Sequence, residues 1–171
     1  MKKKTFRPAK FWPTLGFAAL AGSRATSAPA FLNQYLSHQA LSPALAKSPL
    51  RFLAKPGVTT ALELLVAGEM VGDKLPSSPA RTVPQQLAAR TASGALVGAT
   101  LYKAKGGNAL VGALVGGLGT VAATYATWWL RTQASEQFNI DSGLVGAGED
   151  ALVLAAGTAL AKGQGSTTGG K

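Results

Sequence analysis

Charged side chains occur inside the apolar segments of this sequence, where they could bind ions or exchange protons. The chain has only seven acidic residues, and most of them lie within or at the end of apolar helical runs: Glu63, Glu69, Asp73, Glu149 and Asp150. A charge at the centre of a membrane costs roughly 2.5–3.5 kcal/mol even on lenient insertion scales, so such a residue needs water or a partner. The placement therefore suggests either an ion- or proton-linked pathway or a set of buried ion pairs.

Basic residues are placed to neutralise these carboxylates. Arg24 and Arg90 lie inside or at the start of apolar runs, and Glu69 and Asp73, four residues apart, share a helical face. With the Pro-rich loop that follows, they form a predicted buried polar centre: Arg24, Glu63, Glu69, Asp73, Lys74, Arg81, Arg90, Glu149 and Asp150. The carboxylates of this centre could bind a cation or proton, or the ion pairs could fix the register of the helices.

Other chemistries are not supported by the residue types. The chain contains no cysteine and one histidine, His38, which lies in a predicted loop without ligand partners at metal spacing. No nucleophile, base and orienting group occur in a recognisable arrangement. The basic residues stand mainly at segment ends, whereas a nucleic-acid interface gathers them on one face. We therefore predict no enzyme, metal site, cofactor or nucleic-acid partner.

The composition favours a membrane protein of one domain. The 171 residues are enough for one domain, but only 14% of them are charged, against ~25% in soluble domains. The 21 glycines, with many alanines and leucines, suit helices that pack closely in lipid. The net charge of +10 is typical of positive flanks around membrane helices. The predicted partner is therefore the lipid bilayer.

Apolar runs divide the chain into four or five predicted membrane-embedded helices. The clearest begins at Ala109, reads ALVGALVGGLGTVAATYATWWL and matches the ~20 residues that cross a bilayer. Other runs are short or interrupted, which allows thin, tilted or re-entrant segments. The predicted organisation is a basic cytoplasmic segment at residues 1–10, one membrane-embedded helical domain at residues 11–162, and a disordered polar tail at residues 163–171.

The positive N-terminus, MKKKTFRPAK, predicts an integral protein of the bacterial inner (cytoplasmic) membrane with its N-terminus in the cytoplasm. The competing interpretation is a cleaved signal peptide, because Ala28-Pro29-Ala30 could serve as a cleavage site. Pro13 and Arg24 leave the apolar region of such a peptide short and weakly hydrophobic. This interruption favours retention of the segment.

Small residues recur four apart on three of the predicted helices. Gly94 and Gly98 form one pair, and Gly112 and Gly116 form another. A longer set follows near the C-terminus: Ala147, Ala151, Ala155 and Ala159. Each set lines one helical face and lets backbones approach closely. We expect tight helix packing from these residues, and they also leave homo-oligomerisation open.

The sequence contains a faint internal echo. SRATSAPAFL near Arg24 resembles ARTASGALVGATL near Arg90, and LELLVAGEMVGDK resembles LVGAGEDALVLAAG. In each half, an arginine followed by threonine and serine precedes a helix that carries acids. Duplicated halves with interrupted helices are typical of transporters that bind substrate at the repeat interface. The chain is therefore either two pseudo-repeated halves or a case of chance similarity.

Three stretches, GEMVGDKLPSSPART, RTASGALVGA and GEDALVLAAG, resemble a bacterial and plant family known as domain of unknown function 4126. The resemblance covers Thr14 to Ala161. Its most specific residues are Glu69, Asp73, Lys74, Pro76, Pro79, Arg81, Arg90, Ser93, Gly94, Glu149 and Asp150. The resemblance implies a small integral membrane protein without a settled activity. The polar first helix and the long Pro-rich first loop depart from the family pattern.

The sequence as a whole predicts an all-α, helical integral membrane protein with four to five short membrane-embedded helices. Its predicted function is that of a small ion- or proton-linked transporter or channel, whose substrate ion or small solute is unknown. The alternative is a non-transporting membrane scaffold whose buried charges are helix-register ion pairs. A soluble, basic helical protein that binds membranes peripherally is a third interpretation.

Overall fold

The computed structural model describes residues 8–37, 40–72, 83–138 and 142–163, and every regular element in these ranges is helical. The all-α prediction is therefore confirmed for this part of the chain. The elements are α1 (Pro8–Ser23), α2 (Ser27–Ser37), α3 (Pro43–Ala46), a 3₁₀ helix η1 (Pro49–Ala54), α4 (Pro56–Gly72), α5 (Pro84–Ala104), α6 (Ala109–Phe138) and α7 (Ser142–Gly163). Most of the predicted basic segment and polar tail, and His38, lie outside the described residues.

Proline opens several of these helices. Pro43, Pro49, Pro56 and Pro84 each stand at the first position of a helix, where a missing N–H costs no hydrogen bond and the fixed φ suits the helix. The hydroxyl oxygen of Ser42 also accepts a hydrogen bond from an amide of α3. The prolines that interrupt the apolar runs therefore determine where new helices begin.

α1 and α2 form a hairpin that begins and ends at the same end of the molecule. The Nζ of Lys10 in α1 is 3.0 Å from the position that a Cβ of Gly107, in the α5–α6 loop, would occupy. Tyr35 of α2 lines a cavity together with Lys105, at the end of α5. The chain between α1 and α2, residues 24–26, is therefore the apex of the hairpin. We call the end of the bundle with Lys10 and Lys105 the basic end.

The apolar core lies between this hairpin and the second half of α5. Phe17 of α1, Leu32 of α2 and Leu101 of α5 are buried in one cluster. Leu45 of α3 and Leu53 of η1 belong to the same cluster. Full burial of a leucine stabilises the fold by about 1.5–3 kcal/mol, so the two short elements are held as a cover over the basic end.

α5 and α6 pack closely through the two glycine pairs. A Cβ added at Gly98 would overlap the carbonyl oxygen of Gly112, and one added at Gly116 would overlap the carbonyl oxygen of Gly94. Backbones approach this closely only where no side chain separates them. The tight packing that the sequence predicted for these glycines is confirmed.

The alanine set of α7 does not pack inside the chain, and the expectation that it would is wrong. All four residues of the set are exposed. α7 turns a different face inward, which carries Asp150, Val153, Gly157 and Leu160. Alanine, glycine and leucine occur all round this helix, so residue spacing alone does not distinguish the packed face from the exposed one.

Contacts along α2 establish the directions of the other helices. α4 runs antiparallel to α2, because the Thr59 hydroxyl donates to Asn33 Oδ1 at 2.7 Å near the basic end, while Glu69 reaches Thr26 at the apex. α5 and α7 run parallel to α2. In the sequence echo, α2 corresponds to α5 and α4 to α7. α2 and α5 run parallel to each other, whereas α4 and α7 run antiparallel to each other. A single rotation therefore cannot superimpose the two halves, and the described helices do not show the pseudo-repeat.

Polar side chains are buried, whereas large apolar ones are exposed over much of the surface. The buried polar residues are Thr14, Ser23, Arg24, Ser27, Asn33, Ser48, Arg90, Thr100, Thr120 and Thr124. α6, by contrast, exposes Leu110, Leu114, Leu118 and Trp129. Among the described residues, one helix segment, Ala109–Gln133, is long and apolar enough to cross a membrane. This segment coincides with the clearest span predicted from the sequence.

Candidate functional site

The break between α1 and α2 leaves backbone groups that need partners inside the protein. The last carbonyls and first amides of any helix have no intrahelical bonds, and at residues 24–26 the end of one helix meets the start of another. Ser23 and Arg24 are buried on one side of the break and Ser27 on the other. Buried backbone groups are almost always paired, and here the partners are side chains of α4, α5 and α6.

Glu69, near the end of α4, binds the start of α2. Its Oε1 accepts a hydrogen bond from the amide of Ala25 at 2.9 Å, and its Oε2 accepts one from the amide of Thr26 at 2.9 Å. The hydroxyl of Thr26 donates to the same Oε2. A carboxylate at a helix N-terminus is stabilised by unpaired amides and by the positive end of the helix dipole. Glu69 therefore caps α2 from a different helix.

Arg90, in the second turn of α5, binds the end of α1. Its Nη1 donates to the carbonyl oxygens of Gly22 at 2.7 Å and Ser23 at 2.5 Å. Its Nη2 lies 3.8 Å from Oε1 of Glu69, and the arginine side chain is only 1% exposed. The guanidinium therefore meets both the negative end of the α1 dipole and the carboxylate that caps α2.

A second ion pair joins the apex to α7. The Nε of Arg24 donates to Oδ1 of Asp150 at 3.0 Å, and Nη2 of the same arginine contacts the same oxygen. The two side chains are 3% and 14% exposed. At this burial the attraction between the charges is stronger than at a surface, and removal of one partner would leave the other uncompensated.

The two ion pairs connect the halves of the chain crosswise. Arg24 of the first half pairs with Asp150 of the second, and Arg90 of the second half pairs with Glu69 of the first. These contacts therefore bring together four of the six predicted members of the buried polar centre that the structure describes. Their common feature is that each contacts the hairpin apex or belongs to it.

Hydroxyl groups complete the apex, and the sequence did not single them out for this role. Ser93 Oγ donates to the carbonyl oxygen of Ala25, and Thr124 Oγ1 donates to that of Gly22 at 3.3 Å. The serine that follows arginine in both echoed segments was a signal that could have identified Ser93. No comparable signal marks Thr124, because its role depends on the position of α6 beside α1.

Two further members of the predicted centre, Glu63 and Glu149, are among the described residues. Glu63 is exposed, so its assignment to a buried centre is wrong. It precedes Glu69 by six residues and therefore lies roughly 240° away around α4. Glu149 is half-buried and precedes Asp150 on α7. Its side chain leaves the helix roughly 100° around the axis from that of Asp150. Three predicted members lie outside the described residues: Asp73, Lys74 and Arg81.

The carboxylates of Glu69 and Asp150 both make contacts that hold the helices together. Glu69 accepts hydrogen bonds from two amides and one hydroxyl and also contacts Arg90, which occupies most of the acceptor capacity of a carboxylate. Within the ranges that the structure describes, no group of three or more His, Cys, Asp or Glu residues could hold a metal ion. The arrangement is that of charges binding helix ends.

Comparison of the chain with protein-family models, with curated proteins and with solved structures finds no match. The resemblance to the domain of unknown function 4126 family therefore stays a prediction. The function has to be argued from the helix break, its ion pairs and the surface that surrounds them.

Proposed function

We propose that this chain is an integral membrane scaffold whose two buried ion pairs hold an interrupted helix in place. The observation that carries the proposal is that each side of the break is bound by a charged side chain from another helix, Glu69 at α2 and Arg90 at α1. Arg24 and Asp150 tie the same apex to α7. In this proposal the charges set the register of the helices, a use of buried ion pairs that proteins are known to make.

The distribution of side chains supports insertion into a bilayer. On α6, Leu118 is 70% and Trp129 55% exposed, while Thr120 and Thr124 of the same helix are buried. Soluble proteins rarely expose a large contiguous apolar face, whereas lipid would cover this one. Irregular backbone at membrane depth is tolerated where protein buries it, and the apex, with Arg24 and Ser27 buried, meets that condition.

We assign α4, α5, α6 and α7 to the bilayer as spanning helices and the α1–α2 hairpin as a re-entrant segment. By length, α5 with 21 residues and α7 with 22 fit the ~17–25 residues that crossing takes, and α4 with 17 is at the lower limit. The described segment that is also apolar enough to cross is Ala109–Gln133 of α6. Glu63, exposed near the middle of α4, would need water or a partner outside the chain at this depth. The hairpin would enter and leave through the same face. The basic end would face the cytoplasm of a bacterial cell, and membrane insertion would agree with the resemblance to the domain of unknown function 4126 family.

A second candidate function is cation- or proton-linked transport through the apex. It is favoured by the carboxylates of Glu69 and Asp150, which are each 14% exposed and therefore within reach of a small ion. The Oγ of Ser27 is also buried without a hydrogen-bond partner among the described residues. Interrupted helices with polar groups at membrane depth are typical of transporter sites.

Substitution of Glu69 by glutamine separates the two functions. The full chain would be reconstituted in liposomes for proton and monovalent-cation flux with entrapped dyes, and its melting temperature would be measured in detergent. As a scaffold, the wild type gives no more flux than protein-free liposomes, and Glu69→Gln lowers the melting temperature because a cap is weakened. Wild-type flux that Glu69→Gln abolishes at an unchanged melting temperature would establish transport instead.

Glu63→Gln is the matched control, because it makes the same chemical change on the same helix at an exposed position. It should leave the flux at the wild-type value and should not lower the melting temperature. Carbonate extraction of cell membranes tests insertion separately. The proposal expects the chain to stay in the pellet, and its release into the supernatant would favour the peripheral interpretation.

A further inference from the structure

The basic end carries positive charge that the ion pairs at the apex do not use. Its described cations stand at the start of α1, along α3 and η1, and at the ends of α5 and α7: Lys10, Lys47, Arg51, Lys55, Lys103, Lys105 and Lys162. No acidic residue stands in the terminal turns and loops that the structure describes at this end. The basic end therefore has a strong excess of positive charge over a small area.

Two of these cations are held close to one another. Lys10 Nζ reaches the loop at Gly107, next to Lys105, which is half-buried at the end of α5. Burial, and in addition the charge of Lys10, lowers the pKa of Lys105 below its usual value. Bringing two ammonium groups together in a partly buried place is unfavourable unless negative charge is nearby. The cationic surroundings of Lys105 therefore favour the approach of an anion.

A cavity of about 130 Å³ opens beside Lys105. This volume is well above the ~10–15 Å³ that one water molecule needs. The residues that line it include one lysine, one serine and one tyrosine among apolar residues: Tyr35, Leu36, Ser42, Leu45, Ala104 and Lys105. Ammonium and hydroxyl groups are donors that bind phosphate oxygens, so the chemistry of the lining fits a phosphate group.

We propose that this cavity binds the phosphate of an anionic phospholipid headgroup, with Lys105 supplying the charge and Ser42 and Tyr35 supplying hydroxyl donors. The inference rests on the proposed membrane location, which puts the basic end at the bilayer surface. Basic pockets at the cytoplasmic side of membrane helices attract anionic lipids in this way. Leu41, 40% exposed at the rim of the cavity, offers apolar contact to the glycerol and acyl portion.

Lipid titration of the purified full chain in detergent tests the site. The probes are short-chain phosphatidylglycerol, short-chain phosphatidylcholine and inorganic phosphate, and binding is followed by tryptophan fluorescence and by the melting temperature. We expect phosphatidylglycerol to bind and Lys105→Gln to weaken it by about tenfold, as the loss of one charge-assisted contact would. Inorganic phosphate should bind weakly, because it lacks the apolar contact.

Lys162→Gln is the matched control, since it removes one charge from the same end outside the residues that line the cavity. It should weaken the affinity for phosphatidylglycerol by less than about twofold. Equal losses of phosphatidylglycerol affinity in Lys105→Gln and Lys162→Gln would overturn the proposal, because general electrostatic attraction to the basic end would then explain the binding. Inorganic phosphate binding as tightly as the lipid would overturn the headgroup as occupant, and equal binding of phosphatidylcholine would overturn the role of charge. The carbonate extraction decides membrane insertion independently of these results.

Discussion

Glu69 and Arg90 stabilise opposite sides of one helix break and contact each other while doing so, with Arg90 Nη2 3.8 Å from Glu69 Oε1. The arginine binds the carbonyls that end α1, and the carboxylate binds the amides that precede α2. The pair therefore joins α1, α2, α4 and α5 at one point. A substitution of either residue should weaken the contacts on both sides of the break.

Replacement of Arg90 should destabilise the fold strongly. Arg90→Met keeps much of the side-chain volume but leaves Glu69 without its cation and removes the guanidinium donor from the carbonyls of Gly22 and Ser23. Thr124 still donates to the Gly22 carbonyl, and the loss of the charged partner should cost about 3–5 kcal/mol. Unfolding of the detergent-solubilised protein by a denaturing detergent would measure the change. Arg51→Met, at an exposed position of η1, is the control and should cost less than about 0.5 kcal/mol. Similar losses for the two variants would contradict the role assigned to Arg90.

The pair formed by Arg24 and Asp150 should show energetic coupling across the bundle. A double-mutant cycle with Arg24→Ala and Asp150→Ala should give an interaction energy within the ~0.5–3 kcal/mol range of contacting charges. The same cycle between Arg24 and the exposed Glu63 should be additive within about 0.5 kcal/mol. Additivity in the first cycle would mean that the ion pair does not form.

Alanine in place of the glycines between α5 and α6 should force these helices apart. Gly98→Ala and Gly116→Ala would each overlap a backbone carbonyl of the facing helix, and we expect losses of about 1–3 kcal/mol. Gly68→Ala is the control, since nothing lies within 4 Å of an added Cβ there. It should be neutral or stabilise α4 by up to about 1 kcal/mol. The melting temperatures of the three variants would test this prediction, and a loss at Gly68→Ala as large as at the other two positions would contradict it.

The lowered pKa of Lys105 predicts a pH dependence of stability. Below its lowered pKa the lysine is charged in both the folded and the unfolded chain. Between that value and 10.5, the unfolded chain holds a proton that the folded chain has released, so stability rises with pH through this window. The melting temperature of the wild type relative to Lys105→Gln should therefore increase as the pH is raised from 7 towards 10.5. A constant difference would contradict the pKa shift.

Sequence patterns were sufficient for features that depend on neighbours along one helix. The four-residue spacing of Gly94 and Gly98 places them on one helical face. Glycine has no side chain to prevent the close approach of another helix, so the spacing predicted tight packing correctly. The presence of Glu69 and Asp150 in apolar runs, with arginines available, left two interpretations, buried ion pairs or an ion- or proton-linked pathway, because an unpaired charge there is costly. The apolar composition from Ala109 onward likewise indicated a span.

The tertiary structure decided which groups meet. Arg24 and Asp150 are 126 positions apart in the chain, and their contact depends on α7 running parallel to α2, which no local pattern specifies. The exposure of Glu63 and of the alanine face of α7 has the same origin. A helix with small or apolar residues on every side can turn any face inward, and only packing against the other helices selects one. Residue types therefore determined that the charges would need water or a partner and that the glycines could pack closely, while the partners themselves depended on contacts made across the folded bundle.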